Sequence, residues 1–346
     1  MKRIQYLDYA RAVGILAVVW VHAVGRLGLG ATPCLKQISF VLCTTSYIPL
    51  LFLVAGCLAK GFIVQGKNGL KQCFLRYAQS VLLPFYSLCA LFFLVNVAAG
   101  HFVEGLPGAG EMAWAVLRLD LGDSLPSGVL WFFFVLFLFS MTASLWEKII
   151  KASFGYLLLI ALVLKIVLAP ALVSYTVLGA YHFASDLCYY VLGICMAERL
   201  VNVTAHARKE AGMLAGYAGC VAVIWLGATY PITAMAYAAA TLLGPLLVIS
   251  LLSRLKGGEG LAIKVLHYIG VNAIVIYVFH MPSFKLMGLV ADRLHVPASL
   301  PGLVVWFALG VAIPLGIGLV LSRIPLAYRL LFARSPYAAG SGRGAA

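Results

Sequence analysis

Ten runs of mostly apolar residues follow one another along the chain, near 9–29, 38–59, 78–99, 128–146, 152–170, 176–197, 211–230, 232–253, 268–290 and 300–322. Each is long enough to cross a hydrocarbon core of roughly 30 Å as a helix, some with tilt. Backbone facing lipid must satisfy its own hydrogen bonds, so helices are the expected element. The fifth and sixth runs are the least sharply bounded, because Pro170 and the Tyr181-His182 pair interrupt a long apolar region. The pattern predicts an all-α polytopic membrane protein of about ten transmembrane helices. Residues 1–335 read as one transmembrane domain, and 336–346 as a disordered cytoplasmic tail.

Composition sharpens this reading. With 63% hydrophobic residues, 10% charged residues and a mean hydropathy of +1.02, a soluble domain is excluded; globular chains carry about 25% charged residues. The net charge of +14 does not mark a nucleic-acid binder, since its distribution follows the membrane. With the N-terminus inside, the inner segments hold 18 Lys and Arg; the outer ones hold five: Arg26, Lys36, Arg118, Lys285 and Arg293. That bias follows the positive-inside rule and places both ends in the cytoplasm. The outer loop 100–127 instead carries Glu104, Glu111, Asp120 and Asp123. Lys2-Arg3 precede an apolar run that Asp8 and Arg11 interrupt, with no convincing small-x-small cleavage site. An uncleaved first span is therefore expected. The eight cysteines form no Cys-x-x-Cys pair and only Cys34 is plainly outside, so no disulfide framework is indicated. No His, Cys and carboxylate cluster has metal-ligand spacing.

Ionisable residues within the spans carry the candidate chemistry, because burying them in lipid is costly. In the first span, Asp8, Arg11, Ile15, Val18 and His22 share one helical stripe, with Arg11 and His22 about 16 Å apart along the axis. The structural reading of the same residues is an Asp8–Arg11 pair near the membrane surface and a hydrogen-bonded core His. His182, Asp186 and Tyr190 repeat every four residues, as do Asn272, Ile276 and His280. An internal hydrogen bond is the favoured role of the His182–Asp186 pair. Lys165 is a lone cation within a span, able to snorkel or pair, and receives no role. The inner loop from Lys60 to Arg76 gathers four cations and three glycines, which suits a polyphosphorylated cofactor or anionic lipid; topology alone explains the charges equally well. A Walker loop is absent, as is a convincing Gly-x-Gly-x-x-Gly turn.

The assembled motifs resemble the bacterial membrane acyltransferase-3 family, particularly its compact sugar O-acetylase-like branch. Asp8, then Arg11 and His22 with ten residues between, resembles the family's first-span signature. Pro49-Leu50-Leu51-Phe52-Leu53-Val54-Ala55-Gly56 resembles its second-span ending, and Leu130-Trp131-Phe132 its Trp-Phe-Leu region. Tyr190-Val191-Leu192-Gly193 resembles a middle Leu-Gly ending, and Tyr277-Val278-Phe279-His280 the late Tyr-x-x-His segment. Three departures stand out: Ala55 and Ala273 where the family often has Ser, and Gln79 where a second Arg is expected after Arg76.

The resemblance implies an O-acyltransferase in the bacterial inner membrane. It would move an acyl group, acetyl in the first instance, from cytosolic acyl-coenzyme A to a hydroxyl of a cell-envelope glycan or lipid-linked sugar. The co-substrate would be the only cofactor, with none bound permanently. His22 is expected as base, Arg11 to hold a phosphate or oxyanion, and Asp8 to orient Arg11. Lys67, Lys71 and Arg76 are expected to bind the donor. Trp131, Asn272, Tyr277 and His280 are expected to touch the substrate or support groups that do. The competing classes are a transporter or flippase using the same stripe as a pathway, and a sensor or assembly partner that has lost catalysis. No inverted repeat supports transport.

Overall fold

The computed structural model describes residues 4–64, 68–99, 108–122, 126–201, 206–227, 229–294 and 298–333. The expected tail and Lys67, Glu104 and Asp123 fall outside these residues. Fifteen helices are described: α1 Gln5–Arg26, α2 Pro33–Thr45, α3 Ile48–Ile63, α4 Leu70–Tyr77, α5 Leu83–Ala99, α6 Ala109–Arg118, α7 Trp131–Leu145, α8 Phe154–Val163, α9 Ala180–Val201, α10 Ala207–Trp225, α11 Ile232–Ser253, α12 Leu261–Val271, α13 Ala273–Arg293, α14 Leu300–Leu321 and α15 Pro325–Phe332. Among the described residues no strand forms; a single backbone bridge joins Asp120 and Val177. The expected all-α membrane architecture holds. Eight stretches are long and apolar enough to cross a membrane. Two further expected spans correspond to α9 and α10, whose His, Tyr and charged residues reduce their apolarity.

The differences from the expected boundaries have local causes. The second run is not one helix: it breaks at Ser46-Tyr47, between α2 and α3. Pro49 explains the break. Proline lacks an N–H and disfavours helical backbone before it, so it fits the first turn of a helix and not the interior. The ninth run likewise divides at Asn272, whose amide Nδ2 donates to the Tyr268 carbonyl at 2.9 Å. Helix α9 starts later than the sixth run predicts because residues 176–178 leave the helical path. There the Leu121 N–H donates to the Thr176 carbonyl, and the Leu178 N–H to that of Leu119. Helical turns widen to π geometry at Ala78–Leu82, Trp146–Ile150 and Leu164–Leu168. The last contains Lys165, which does not snorkel. Its Nζ donates to the Ser185 carbonyl at 3.0 Å and lies 4.7 Å from the Tyr189 ring centre.

Helix α1 is the central element, packed against α2, α3, α11, α12, α13 and α14. That surrounding is why a helix carrying Asp, Arg and His is tolerated: its polar stripe meets protein instead of lipid. α14 is the contrast, with Val304 and Val320 more than 60% exposed and apolar residues all round, as a lipid-facing span requires. Close crossings are built on small residues, the main means by which membrane helices approach. A Cβ on Gly56 would meet the Tyr190 carbonyl oxygen at 1.9 Å, and one on Gly193 would meet the Leu53 carbonyl oxygen at 2.1 Å. The two motif-ending glycines thus interlock α3 with α9. Gly270 does the same between α12 and α1, where a Cβ would fall 1.9 Å from the Asp8 carbonyl oxygen. Between these crossings Phe52 stacks on Phe132 at 4.6 Å and meets Phe139 edge-on at 4.9 Å, fixing α3 against α7.

Candidate active site

The α1 stripe serves two separate clusters. Near its start, Arg11 Nη1 donates to Asp8 Oδ1 at 3.0 Å. Asp8 is buried, and the close α1–α12 crossing brings His267 Nδ1 to 3.7 Å from its other oxygen, within ion-pair range though beyond hydrogen-bond length. Arg11 keeps a quarter of its side-chain surface exposed, and that surface faces a cavity of about 240 Å³. The cavity is mainly apolar, lined by Ile15, Ala55, Phe132, Ala273 and Tyr277 among others. Both Ser-to-Ala departures therefore face the same space as Arg11.

Farther along α1, His22 meets two other elements. Its Nε2 lies 3.3 Å from the Tyr47 hydroxyl, which the α2–α3 break points toward it. Its ring centre is 5.2 Å from that of His280. His280 is fully buried, and its Nδ1 lies 2.7 Å from the Tyr277 carbonyl oxygen and 3.2 Å from that of Ile276. Carbonyls only accept, so Nδ1 carries the proton and Nε2 presents a lone pair. That Nε2 has no hydrogen-bond partner among the described residues. A buried polar atom left unpaired costs about 1–3 kcal/mol, which makes it a feature needing a reason. Tyr277 joins the two clusters: its ring lines the Arg11 cavity and lies 6.0 Å from the His280 ring, while its hydroxyl donates to the Val129 carbonyl at 2.8 Å.

Other expected residues lie elsewhere. Trp131 stacks on His182 at 3.6 Å with nearly parallel planes. His182 Nδ1 in turn lies 3.2 Å from Asp186 Oδ2, as the four-residue spacing suggested. Asn272 serves the α12–α13 junction described above. At the end of the bundle nearest Asp8, a cavity of about 880 Å³ is lined by Asn68, Gln72, Arg76, Gln79 and Arg329. The Arg76 guanidinium lies 4.1 Å over the Phe62 ring. Lys71 is exposed but does not line this cavity, and Lys67 lies outside the described residues.

Three participants escaped the sequence reading. Tyr47 had a signal, since Pro49 two residues on marks a helix start. His267 and Arg329 had none beyond being polar, because the residues they approach are distant in sequence. A group of three or more His, Cys, Asp or Glu able to hold a metal does not occur among the described residues. A family model described as an acyltransferase domain matches residues 4–323. No curated protein and no solved structure matches the chain significantly.

Proposed function

The chain belongs to the acyltransferase-3 family and is a membrane acyltransferase; from that premise we propose that it carries an acyl group, acetyl in the first instance, from cytosolic acyl-coenzyme A to a hydroxyl of a cell-envelope glycan or related acceptor. One observation carries the reading: a single apolar cavity is lined both by Arg11 and by Tyr277, whose ring lies 6.0 Å from that of His280, the neighbour of His22. An acyl thioester on a flexible, largely uncharged arm suits such a space. Its charged nucleotide end suits the cavity of Arg76 and Arg329, on the side that the positive-inside bias makes cytoplasmic.

In this reading Arg11 and His22 do separate work. Their axial separation of about 16 Å is too great for both to act on one carbonyl. Arg11 therefore holds a phosphate or polar part of the donor, with Asp8 and His267 fixing its orientation. His22 stands where the chemistry occurs. As the acceptor oxygen attacks the thioester carbonyl, His22 removes the hydroxyl proton; the C–S bond then breaks and the thiolate leaves as coenzyme A once protonated. The His280 Nε2 lone pair is a second base near this step, on a ring whose centre is 5.2 Å from that of His22. Tyr47 orients the His22 ring through its hydroxyl.

The test is mass spectrometry of envelope glycans from cells with and without the gene, joined to acyl-coenzyme A turnover by purified protein. Loss of an acyl-sized mass with the gene, and donor turnover by wild-type protein, are the expected results. Intact glycan acylation and no donor turnover would move the protein to the transport or sensor reading.

A further inference from the structure

The positive-inside bias accounts for the inner cations but not for the few outer ones. Two of the five, Arg26 and Lys285, line one cavity of about 740 Å³ at the bundle end away from Asp8. This volume is in the range of small-molecule sites. Arg26 follows His22 by four residues, one turn farther out on the same face of α1. Lys285 follows His280 by five on α13. The cavity floor includes Met281 and Phe284, and the Phe284 ring lies 6.0 Å from that of His280. Phe284 thus connects the lining of this cavity to the histidine pair.

Like charges converging on one cavity repel unless an anion lies between them. One carboxylate, Asp292, also lines the cavity. Among the described residues no ion pair joins it, or any other acid, to Arg26 or Lys285. The charged lining is therefore two cations against one anion. Polar contact for a sugar is also at hand, from Ser127 and from Asn96, whose Nδ2 is already committed to the Pro126 carbonyl at 2.7 Å.

We propose that this outer cavity is the acceptor site and that the acceptor is anionic: the acylated sugar carries, or is joined to, a carboxylate or phosphate held by Arg26 and Lys285. The proposal rests on the acyltransferase reading and adds the charge class of its substrate. Holding the anion one turn beyond the histidines would leave a neighbouring sugar hydroxyl facing His22.

The experiment compares cells lacking the gene, complemented with wild type, with Arg26→Gln plus Lys285→Gln, or with Arg26→Lys plus Lys285→Arg. Envelope material is separated by anion exchange, and each fraction is weighed for acyl mass. The wild-type acyl mass is expected on retained, anionic material. It should fall at least about tenfold in the double Gln variant and within about threefold in the charge-preserving one, since bonds to charged groups are the stronger ones. Organic extraction separates the two sources: a lipid-linked phosphate enters the organic phase, an acidic glycan stays in water. Purified wild type supplies an arm independent of variant folding, in which glucuronate or inorganic phosphate, and not glucose, should inhibit acylation of isolated envelope material. Acyl mass on neutral glycan, or indifference to both anions, would overturn this inference while leaving the acyltransferase reading intact. No gene-dependent acyl mass anywhere would end both.

Discussion

Replacing His280 by Leu separates a catalytic from a structural histidine by opposite effects on stability and activity. In the wild type two polar contributions oppose each other at this site. The Nδ1–H bond to backbone carbonyls contributes about 0.5–1.5 kcal/mol, and the unpaired buried Nε2 costs about 1–3 kcal/mol. Leu removes both at similar volume. The carbonyls of Ile276 and Tyr277 keep their helical partners four residues on, so no new acceptor is stranded. The balance runs from about 0.5 kcal/mol of destabilisation to about 2.5 kcal/mol of stabilisation, with most of the range on the stabilising side. Acyl transfer should nevertheless fall by about 10²-fold, the lower end of what general base catalysis provides. Purified protein in lipid nanodiscs gives both quantities: the temperature of half-inactivation of donor binding, and the rate of acyl transfer from radiolabelled acetyl-coenzyme A. A variant that is clearly less stable yet transfers acyl groups at the wild-type rate would refute the reasoning and make His280 a packing residue.

Three further outcomes are expected. His22→Gln keeps hydrogen-bonding capacity toward Tyr47 but accepts no proton near neutrality, so glycan acylation should fall about 10²–10⁴-fold at unchanged membrane level; near-normal acylation would remove His22 from the chemistry. Arg11→Lys keeps the charge and loses the planar fork, and should raise KM for acyl-coenzyme A more than it lowers kcat; an unchanged KM in steady-state turnover would demote Arg11 to a partner of Asp8. Neutralising Arg76 and Arg329 together should weaken donor binding, measured by calorimetry, by about tenfold at low salt and less at high salt, where exposed charges are screened; unchanged affinity would leave these cations to topology alone.

The parts of the architecture that depend on neighbours in sequence were legible, and those that depend on neighbours in space were not. The Asp8–Arg11–His22 stripe follows from helical periodicity, and its burial follows from the cost of charges in lipid. The break at Ser46-Tyr47 was available from Pro49, but the apolarity of residues 38–59 outweighed it and hid Tyr47 with it. His267 meets Asp8 only because Gly270 lets α12 approach the α1 backbone, and one glycine among 34 announces no such contact. Arg329 counted merely as one inner cation among 18 until α15 brought it to the cavity of Arg76 and Gln79. Trp131 stood out in the sequence as a motif residue, yet its partner His182 depends on how α7 meets α9.

The interlock of Gly56 and Gly193 has a genetic consequence. At Gly310 an added methyl would meet the Phe284 ring at 2.6 Å, a side chain that a second mutation could trim. At Gly56 and Gly193 the obstruction is the backbone of the opposing helix, which no substitution elsewhere can shorten. Revertants selected after Gly310→Ala should therefore include changes at residue 284. Those selected after Gly56→Ala or Gly193→Ala should be restorations of the glycine itself.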